Sequence, residues 1–85
     1  MNHFAANSFW GHYRVLSPQL RRLAVKNYRL LRADPRHGSL QFKRVGRYWS
    51  ARVGLGHRAL AVPVEGGFLW FWVGAHEIYE RIIKA

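Results

Sequence analysis

The residues that follow the last apolar run of the chain have side chains capable of proton transfer. His76 comes three residues after the run at positions 68–73, and Tyr79 follows three residues later. An imidazole titrates near neutrality, so it can give or take a proton at physiological pH. Gly74 lies between the run and the histidine, and we expect it to let the backbone turn tightly enough to present His76 at the rim of a sheet.

Basic side chains occupy the segments that precede this histidine. Arg52 and Arg58 lie on two consecutive predicted strands. Four more nitrogen-bearing side chains flank them: Lys43, Arg44, Arg47 and His57. A guanidinium offers a planar fork of donors that suits phosphate, and fixed guanidiniums can stabilise charge that develops on it. Gathered on one concave face, these groups would suit RNA cleavage without a metal, with histidine transferring the protons of the 2′-hydroxyl and the leaving 5′-oxygen.

The composition does not favour metal-dependent hydrolysis, because residues that bind metal ions are few. A two-metal nuclease needs clustered carboxylates. The chain has only four acids: Asp34, Glu65, Glu77 and Glu80. Zinc hydrolases typically carry patterns such as HxH or HExxH, which are absent from the sequence, and there is no cysteine to supply a thiolate. We therefore expect a site that uses neither a metal nor another cofactor.

The size and charge of the chain narrow the class of protein. Its 85 residues predict a single domain over positions 1–85. The 14 lysines and arginines outnumber the acids and give a formal net charge of +10, which favours an anionic partner such as RNA, DNA or an acidic protein segment. The first residues lack the features of a signal peptide, and the longest apolar run is too short to span a bilayer. We expect a cytoplasmic protein that does not bind membranes.

Two helices are predicted in the first half of the chain. The first spans about residues 7–16. Ser17 followed by Pro18 is typical of the start of the second, which should run to about residue 33 because the next residue precedes a proline. The outer face of this second helix is basic, and it can bind an acidic partner or nucleic acid, or simply be solvated. Its cations are Arg22, Lys26 and Arg29.

After residue 40 the hydrophobic period changes to two, which predicts strands. Strands are expected over residues 41–45, 48–53, 58–64 and 68–73. The last of these is apolar on both faces, so it should be central or covered on both sides. A short helix over residues 76–84 follows. The predicted fold is α+β: an N-terminal antiparallel helical hairpin packed on a mostly antiparallel sheet of about four strands, with a short C-terminal helix.

The second predicted strand distinguishes the two faces of this sheet. Its Trp49, Ala51 and Val53 should face the helical hairpin, because alternate side chains point to the same face. Its Ser50 and Arg52 should point the other way. The predicted site therefore lies on the second face of the sheet, which we expect to be open.

Each candidate residue also has a purely structural interpretation. His76 can simply begin a helix, Tyr79 can close the core with its hydroxyl at the rim, and His57 can be a turn residue. The tryptophans are interpreted as core residues rather than as platforms for stacking bases, because most of them lie on the patterned strands.

The order of these motifs resembles the RelE/ParE superfamily of bacterial type II toxins. The resemblance is strongest in LQFKRVGRYWSARVGLGHRAL and in WFWVGAHEIY, where a strand is followed by G-x-H-x-x-Y and a closing helix. It implies a helical hairpin packed on an antiparallel sheet, and a cognate antitoxin that wraps the toxin. RelE-type members cleave mRNA in the ribosomal A site without a metal, using basic and imidazole side chains.

The resemblance also implies roles for individual residues. Arg52 and Arg58 fall where such enzymes carry basic residues, and they would stabilise the phosphorane. His76 falls where members place arginine or histidine, and it would act as general acid or base with Tyr79 as its partner. Ser50 departs from the pattern, since certain members have a second catalytic lysine there. Further RNA-binding residues are expected at Lys43, Arg44, Arg47 and His57.

The resulting hypothesis is a toxin endoribonuclease that cuts mRNA on the ribosome, blocks translation and is neutralised by an acidic antitoxin. Two other functions fit the same sequence. One is a ParE-type inhibitor of DNA gyrase, which shares the fold, and the other is a non-catalytic RNA-binding module. His76 and Tyr79 favour the nuclease.

Overall fold

The computed structural model describes residues 2–85. The helices are α1 (Asn7–Arg14), α2 (Pro18–Ala33) and α3 (His76–Lys84). The strands are β1 (Asn2–Ala5), β2 (Lys43–Val45), β3 (Tyr48–Gly54), β4 (His57–Val64) and β5 (Gly67–Ala75). A 3₁₀ turn at Gly38–Leu40 precedes β2. Among residues 2–85, no helix combines the length and the apolar character needed to cross a membrane.

The strands form one sheet in the order β1-β5-β4-β3-β2. Strands β2 to β5 are successive antiparallel neighbours, as predicted. The first strand is not predicted by the sequence pattern: it pairs in parallel with β5, and Asn2 lies opposite Gly67. The sheet therefore has five strands where about four are expected, and the α+β class is confirmed.

Helix α2 begins and ends where the sequence predicts. Its N-cap is Ser17, whose Oγ accepts a hydrogen bond from the backbone N–H of Leu20 at 3.2 Å, and Pro18 takes the first helical position. Helix α1 ends at Arg14, two residues before the predicted end. The Oγ of Ser8 donates to the carbonyl of Phe71 at 2.9 Å and ties α1 to β5.

The first face of the sheet carries the larger core. Ala51 and Val53 are buried there beneath the helices, and Trp49 packs beside them, as predicted. Helix α1 packs along β5, whereas α2 packs across β3. Asn27 of α2 donates to the carbonyls of Arg52 and Val53 at 3.0 and 2.8 Å, so it fixes the helix to the end of β3.

The second face of the sheet is covered by α3. Tyr79 packs against Leu60 and Trp72 in a separate buried cluster. Ser50 points to this face, as predicted, but it is fully buried. The expectation of an open second face is therefore wrong, because the apolar side of the C-terminal helix folds back onto it.

Gly74 makes room for a neighbouring ring. It is absent from the glycines with positive φ, so a left-handed turn is not what requires glycine at this position. A Cβ atom on Gly74 would lie 2.6 Å from Cζ2 of Trp72. The indole of Trp72 therefore lies directly over Gly74, and the chain passes from β5 to α3 at Ala75 with extended backbone angles.

Candidate active site

Arg58 lies on the second face of the sheet, beneath α3. Its Nε donates to Oγ of Ser50 at 2.6 Å, while Nη1 and Nη2 donate to the side-chain and backbone oxygens of Gln41 at 3.2 and 3.1 Å. Its Cζ lies 5.3 Å from the centre of the Tyr79 ring. The guanidinium thus connects β4, β3, the segment before β2 and α3.

The burial of Arg58 limits which groups its guanidinium can contact. The residue is 6% exposed, and burial lowers the pKa of Arg58 while Tyr79 acts in the opposite direction. A buried charge is tolerated when hydrogen bonds compensate it, and protein oxygens accept from all three guanidinium nitrogens. In this conformation Arg58 positions the residues around it and does not present its donors to solvent.

His76 is the first residue of α3, and α3 orients its ring. Nε2 lies 3.0 Å from Oε1 of Glu80, one helical turn later, and the ring centre lies 5.3 Å from that of Tyr79. The backbone N–H of His76 donates to the carbonyl of Gly56 at 2.8 Å, which fixes the start of the helix to the β3–β4 turn. The imidazole is 51% exposed, so it is both held and accessible.

Arg52 lies on the same face of the sheet as Arg58. It is directly opposite Arg58, which is in turn opposite Gly74, so three adjacent strands contribute to one row. Two strand spacings separate Arg52 from Gly74, about 10 Å. Arg52 is half-buried, and within residues 2–85 it forms no ion pair with an acid. Its guanidinium is available to an anion.

Two of the four predicted RNA-binding residues lie close to this row. Lys43 is opposite Ser50, the residue that accepts from Arg58, so it is on the second face and exposed on the edge strand β2. His57 is opposite Ala75, one residue before His76, and its Nδ1 is buried without a hydrogen-bond partner among residues 2–85.

The other two predicted RNA-binding residues lie apart from the row. Arg44 is opposite Trp49, which faces the helical hairpin, and its Nε donates to the carbonyl of Gly46 at 3.0 Å. Arg47 is in the β2–β3 turn, with its guanidinium 5.7 Å from the centre of the Tyr48 ring. Five residues of strand separate Arg47 from Arg52, about 17 Å. The structure does not bring Arg44 and Arg47 to the histidine.

Two residues of the cluster are missed by the sequence analysis. Glu80 holds His76, and the signal that could reveal it is the spacing of four residues within a helix. Gln41 accepts two hydrogen bonds from Arg58 and has a positive φ of 44°. No local pattern predicts that contact, because it joins positions far apart in the chain.

The accessible groups of the cluster suit chemistry at a phosphodiester. His76 can transfer a proton, and Arg52 and Lys43 can neutralise negative charge. Within residues 2–85, no three side chains of the His, Asp or Glu types converge closely enough to hold a metal ion.

Solved structures share this architecture. The RelB-RelE antitoxin-toxin complex from Methanococcus jannaschii contains a chain that superposes with a TM-score of 0.71 at 14% identity, covering 92% of this chain and 96% of that one. The isolated E. coli RelE toxin superposes with a TM-score of 0.62 at 15% identity, covering 96% and 94%. This chain has the RelE fold. The structural expectation drawn from the motif order is confirmed.

The RelE fold is recognised here from three-dimensional structure. No protein-family model matches the sequence, and no curated protein matches it. At 14–15% identity the superpositions establish the fold of the chain. Its chemistry has to be inferred from its own side chains.

Proposed function

We propose that this protein is the toxin of a type II toxin–antitoxin system, and that it is an endoribonuclease that cuts mRNA on the ribosome. The observation that carries the proposal is the row of Arg52, Arg58 and Gly74, with His76 beside it, on a RelE fold. His76 and the accessible guanidinium of Arg52 lie towards the same end of the sheet, and Lys43 is exposed on the same face. That combination is what metal-free cleavage of a phosphodiester requires.

The reaction is a transfer of phosphorus from one oxygen to another within the RNA strand. The 2′-hydroxyl loses its proton and attacks the adjacent phosphorus, while the bond from phosphorus to the 5′-oxygen of the next nucleotide breaks. The 5′-oxygen takes up a proton. The products are a 2′,3′-cyclic phosphate and a 5′-hydroxyl end, so no water and no other reactant is consumed.

His76 is the group proposed to transfer a proton. When its Nε2 donates to Glu80, Nδ1 is the ring nitrogen left to exchange a proton with the substrate. Tyr79 packs beside the ring and is itself buried, so it positions the imidazole. The carboxylate and the phenol together restrict the ring to one orientation, and that restriction favours proton transfer to a defined oxygen.

The cations have separate roles in this proposal. Arg52 would contact the phosphorane, because it is the accessible arginine of the row. Arg58 would act through its hydrogen bonds to Ser50 and Gln41, which hold the floor of the site. Lys43 would contact the RNA backbone near the cut, whereas His57 alternates with Arg58 along β4 and therefore points away from that face. Arg44 and Arg47 would bind the strand farther away, around the edge of β2.

A protein partner belongs to the proposal. The RelE-like chain from M. jannaschii was solved together with its antitoxin RelB. This chain carries a net charge of +10, which suits an acidic antitoxin as well as mRNA and the ribosome. The proposed partners are therefore a cognate antitoxin, mRNA and the ribosome.

The test is cleavage of mRNA on purified ribosomes, with the 5′ ends of the fragments mapped by primer extension. The wild type should cut, and His76→Ala should cut about 10²–10⁴-fold more slowly because general acid–base catalysis is lost. Arg52→Ala should lose about 10²-fold with an unchanged unfolding midpoint. His12→Ala is the matched control, since His12 is an exposed histidine of α1. An uncut message, or equal cutting by His76→Ala, would falsify the assignment.

The burial of Arg58 and Tyr79 supports a second candidate. If α3 stays in place, two of the four residues predicted from the sequence to be catalytic never reach a substrate, and the fold would act by binding. Inhibition of DNA gyrase is the binding function to test. Relaxed plasmid accumulating in a supercoiling assay, with ribosome-bound mRNA intact, would favour it.

A further inference from the structure

A strip of the second face of the sheet lies beside α3. Helix α3 packs on β4 and β5, whereas the strip is formed by side chains of β2 and β3. Lys43 is exposed there, and Val45, Tyr48 and Arg52 are half-buried. They share one face because Lys43 is opposite Ser50, Val45 is opposite Tyr48, and alternate residues of β3 point the same way. The strip therefore runs from Arg52, at the candidate active site, to the β2–β3 turn.

The end of the strip at the β2–β3 turn carries an aromatic pair. The rings of Tyr48 and Phe71 have centres 5.6 Å apart and planes inclined at 45°. Both residues are half-buried at the margin of the smaller core beneath α3. Arg47 is exposed in the turn, and its Cζ lies 5.7 Å from the centre of the Tyr48 ring. We call these three residues the Tyr48 platform, in which a flat ring contacts a second ring and a planar cation.

Positive charge surrounds the Tyr48 platform. Residues 43–52 contain four lysines and arginines and no acid. Within residues 2–85, both ion pairs involve Glu80 of α3, and none of these four cations takes part in them. A ligand that combines a flat ring with negative charge therefore matches both features of this surface.

We propose that the Tyr48 platform binds one nucleobase of a single-stranded RNA. The base would stack on the Tyr48 ring, and the adjoining phosphates would lie near Arg47 and Lys43. Aromatic rings and guanidinium planes are the protein surfaces on which unpaired bases stack. The carboxylates of an acidic peptide would gain from the cations but nothing from the aromatic ring, so the surface favours RNA over such a peptide.

The length of the strip sets the position of this base in the RNA. Four residues of β3 separate Tyr48 from Arg52, about 13 Å. A stacked strand advances about 3.4 Å per nucleotide and an unstacked strand advances farther, so the base lies at most about four nucleotides from the phosphate at Arg52. The stacking follows from the Tyr48 platform alone; only its distance from the cut rests on the proposed function.

The probe is a fluorescein-labelled oligomer of about five 2′-O-methyl nucleotides, a length that spans the strip and lies within the site sizes of single-strand binders. A methylated 2′-oxygen cannot attack phosphorus, so binding is measured without cleavage. In a matched series, each position in turn lacks its base while every phosphate is kept. Fluorescence anisotropy should show saturable binding, and loss of the base at one or two neighbouring positions should weaken it at least about fivefold. Equal losses at every position, or no saturable binding, would overturn the proposal.

Variants of Tyr48 test whether the stacked base and the ring act as a pair. Tyr48→Leu should weaken binding of the complete oligomer about as much as loss of the sensitive base does. With Tyr48→Leu, removal of that base should cost less than about twofold, because two partners in contact are not additive. Tyr48→Phe keeps the ring and should bind as the wild type does. If removal of the base costs Tyr48→Leu as much as the wild type, the base lies elsewhere and the proposal is wrong.

A second tyrosine of the chain provides a matched control. Tyr28 of α2 is 41% exposed, and Cζ of Arg32 lies 5.8 Å from the centre of its ring. Tyr28→Leu thus removes the same pair of groups on the other side of the sheet, and it should change binding less than about twofold. Equal effects of Tyr28→Leu and Tyr48→Leu would overturn the assignment to the Tyr48 platform.

Arg47→Ala tests the platform without removing a core residue, because Arg47 is exposed. It should weaken binding of the complete oligomer at least about threefold. Arg36→Ala removes the same charge from another exposed loop arginine and should change binding less than about twofold. Equal effects of the two substitutions would mean that the oligomer responds to net charge, and the proposal would then be wrong.

The cleavage assay separates the Tyr48 platform from the proposed function. Tyr48 would contact the RNA away from the reacting atoms, so Tyr48→Leu should raise KM for ribosome-bound mRNA at least about fivefold and leave kcat within about twofold. A fall in kcat alone would contradict the stacking role. If the wild type does not cut while Tyr48 and the base remain coupled, the proposed function fails and the platform stands. If the wild type cuts and Tyr48→Leu binds and cuts equally well, the platform fails and the nuclease assignment stands.

Discussion

Arg58 connects the catalytic proposal to the stability of the fold. A guanidinium in the interior is costly unless its donors find acceptors, and here Ser50 and Gln41 provide three. The shortest of these hydrogen bonds, at 2.6 Å, joins Nε to Oγ of Ser50. Ser50 is fully buried, so bulk water cannot replace its Oγ as the acceptor for Arg58. The smallest change that tests the network is therefore at the serine.

Ser50→Ala should lower the free energy of unfolding by about 1–3 kcal/mol, because a buried charged donor loses its acceptor. Urea denaturation followed by tryptophan fluorescence measures the change as a shift of the midpoint at constant slope. The cleavage rate per folded molecule should fall less than for Arg52→Ala, since the serine acts through Arg58.

Ser39→Ala is the control for this substitution, because Ser39 is an exposed serine in the 3₁₀ turn. It should stay within about 0.5 kcal/mol of the wild type. If Ser50→Ala were as stable as Ser39→Ala, the hydrogen bond to Arg58 would not contribute to the fold, and the positioning role of the arginine would be wrong.

At the scale of elements, specific contacts hold β1 to the sheet. Only four residues pair with β5, and a Cβ atom on Gly67 would lie 1.9 Å from the carbonyl oxygen of Asn2. Trp70 donates from Nε1 to Nδ1 of His3 at 3.0 Å, and the His3 ring stacks on Phe68 with centres 5.9 Å apart. The hydrogen bond requires an unprotonated Nδ1.

This contact should make the stability depend on pH. Burial lowers the pKa of His3 below its ordinary value of 6.5, and positive charge, including that of Arg32, lowers it further. Tyr28 also faces the ring, with centres 6.0 Å apart. The folded state therefore binds fewer protons at His3 than the unfolded state. The stabilisation from neutral His3 is complete above pH 6.5 and is lost as the pH falls from there towards the lowered pKa.

His3→Gln should flatten this dependence, because glutamine can accept from Trp70 at any pH. The measurement is the melting temperature between pH 7.5 and about 5, where ordinary histidines titrate. The wild type should lose more stability than His3→Gln as the pH falls. His12→Gln removes an exposed histidine and should retain the slope of the wild type. Parallel slopes for His3→Gln and the wild type would show that His3 does not couple to folding.

Those elements whose ends or burial depend on neighbouring residues in the chain could be predicted from the sequence. Ser17 and Pro18 fix the start of α2, Gly66 with its φ of 82° makes the β4–β5 turn, and the apolar pattern of residues 68–73 matches a strand covered on both faces. β1 could not be predicted, since it gains its partner from the far end of the chain. The burial of Arg58 could not be predicted either, because an arginine in a strand of alternating polar and apolar residues is normally expected on the solvent-exposed face.

At the scale of the whole molecule, charge divides the protein into two surfaces. The first 33 residues are basic without any acid, whereas Glu77 and Glu80 lie on α3 beside the candidate active site. Helices α2 and α3 pack on opposite faces of one sheet. The cations exposed on α2 and those of the candidate active site are therefore on different elements, and their contributions to RNA binding can be separated by substitution.

Salt dependence measures how many of those cations contact RNA. For a single-stranded RNA bound at the α3 face, Lys43→Ala should reduce the slope of log K against log salt by about 0.7, because one phosphate contact is lost. Lys26→Ala, on α2, should leave the slope nearly unchanged. Both are exposed lysines, so they are matched in type and in net charge. Equal losses of slope would mean that the RNA covers both faces, and the division of the surface would then be wrong.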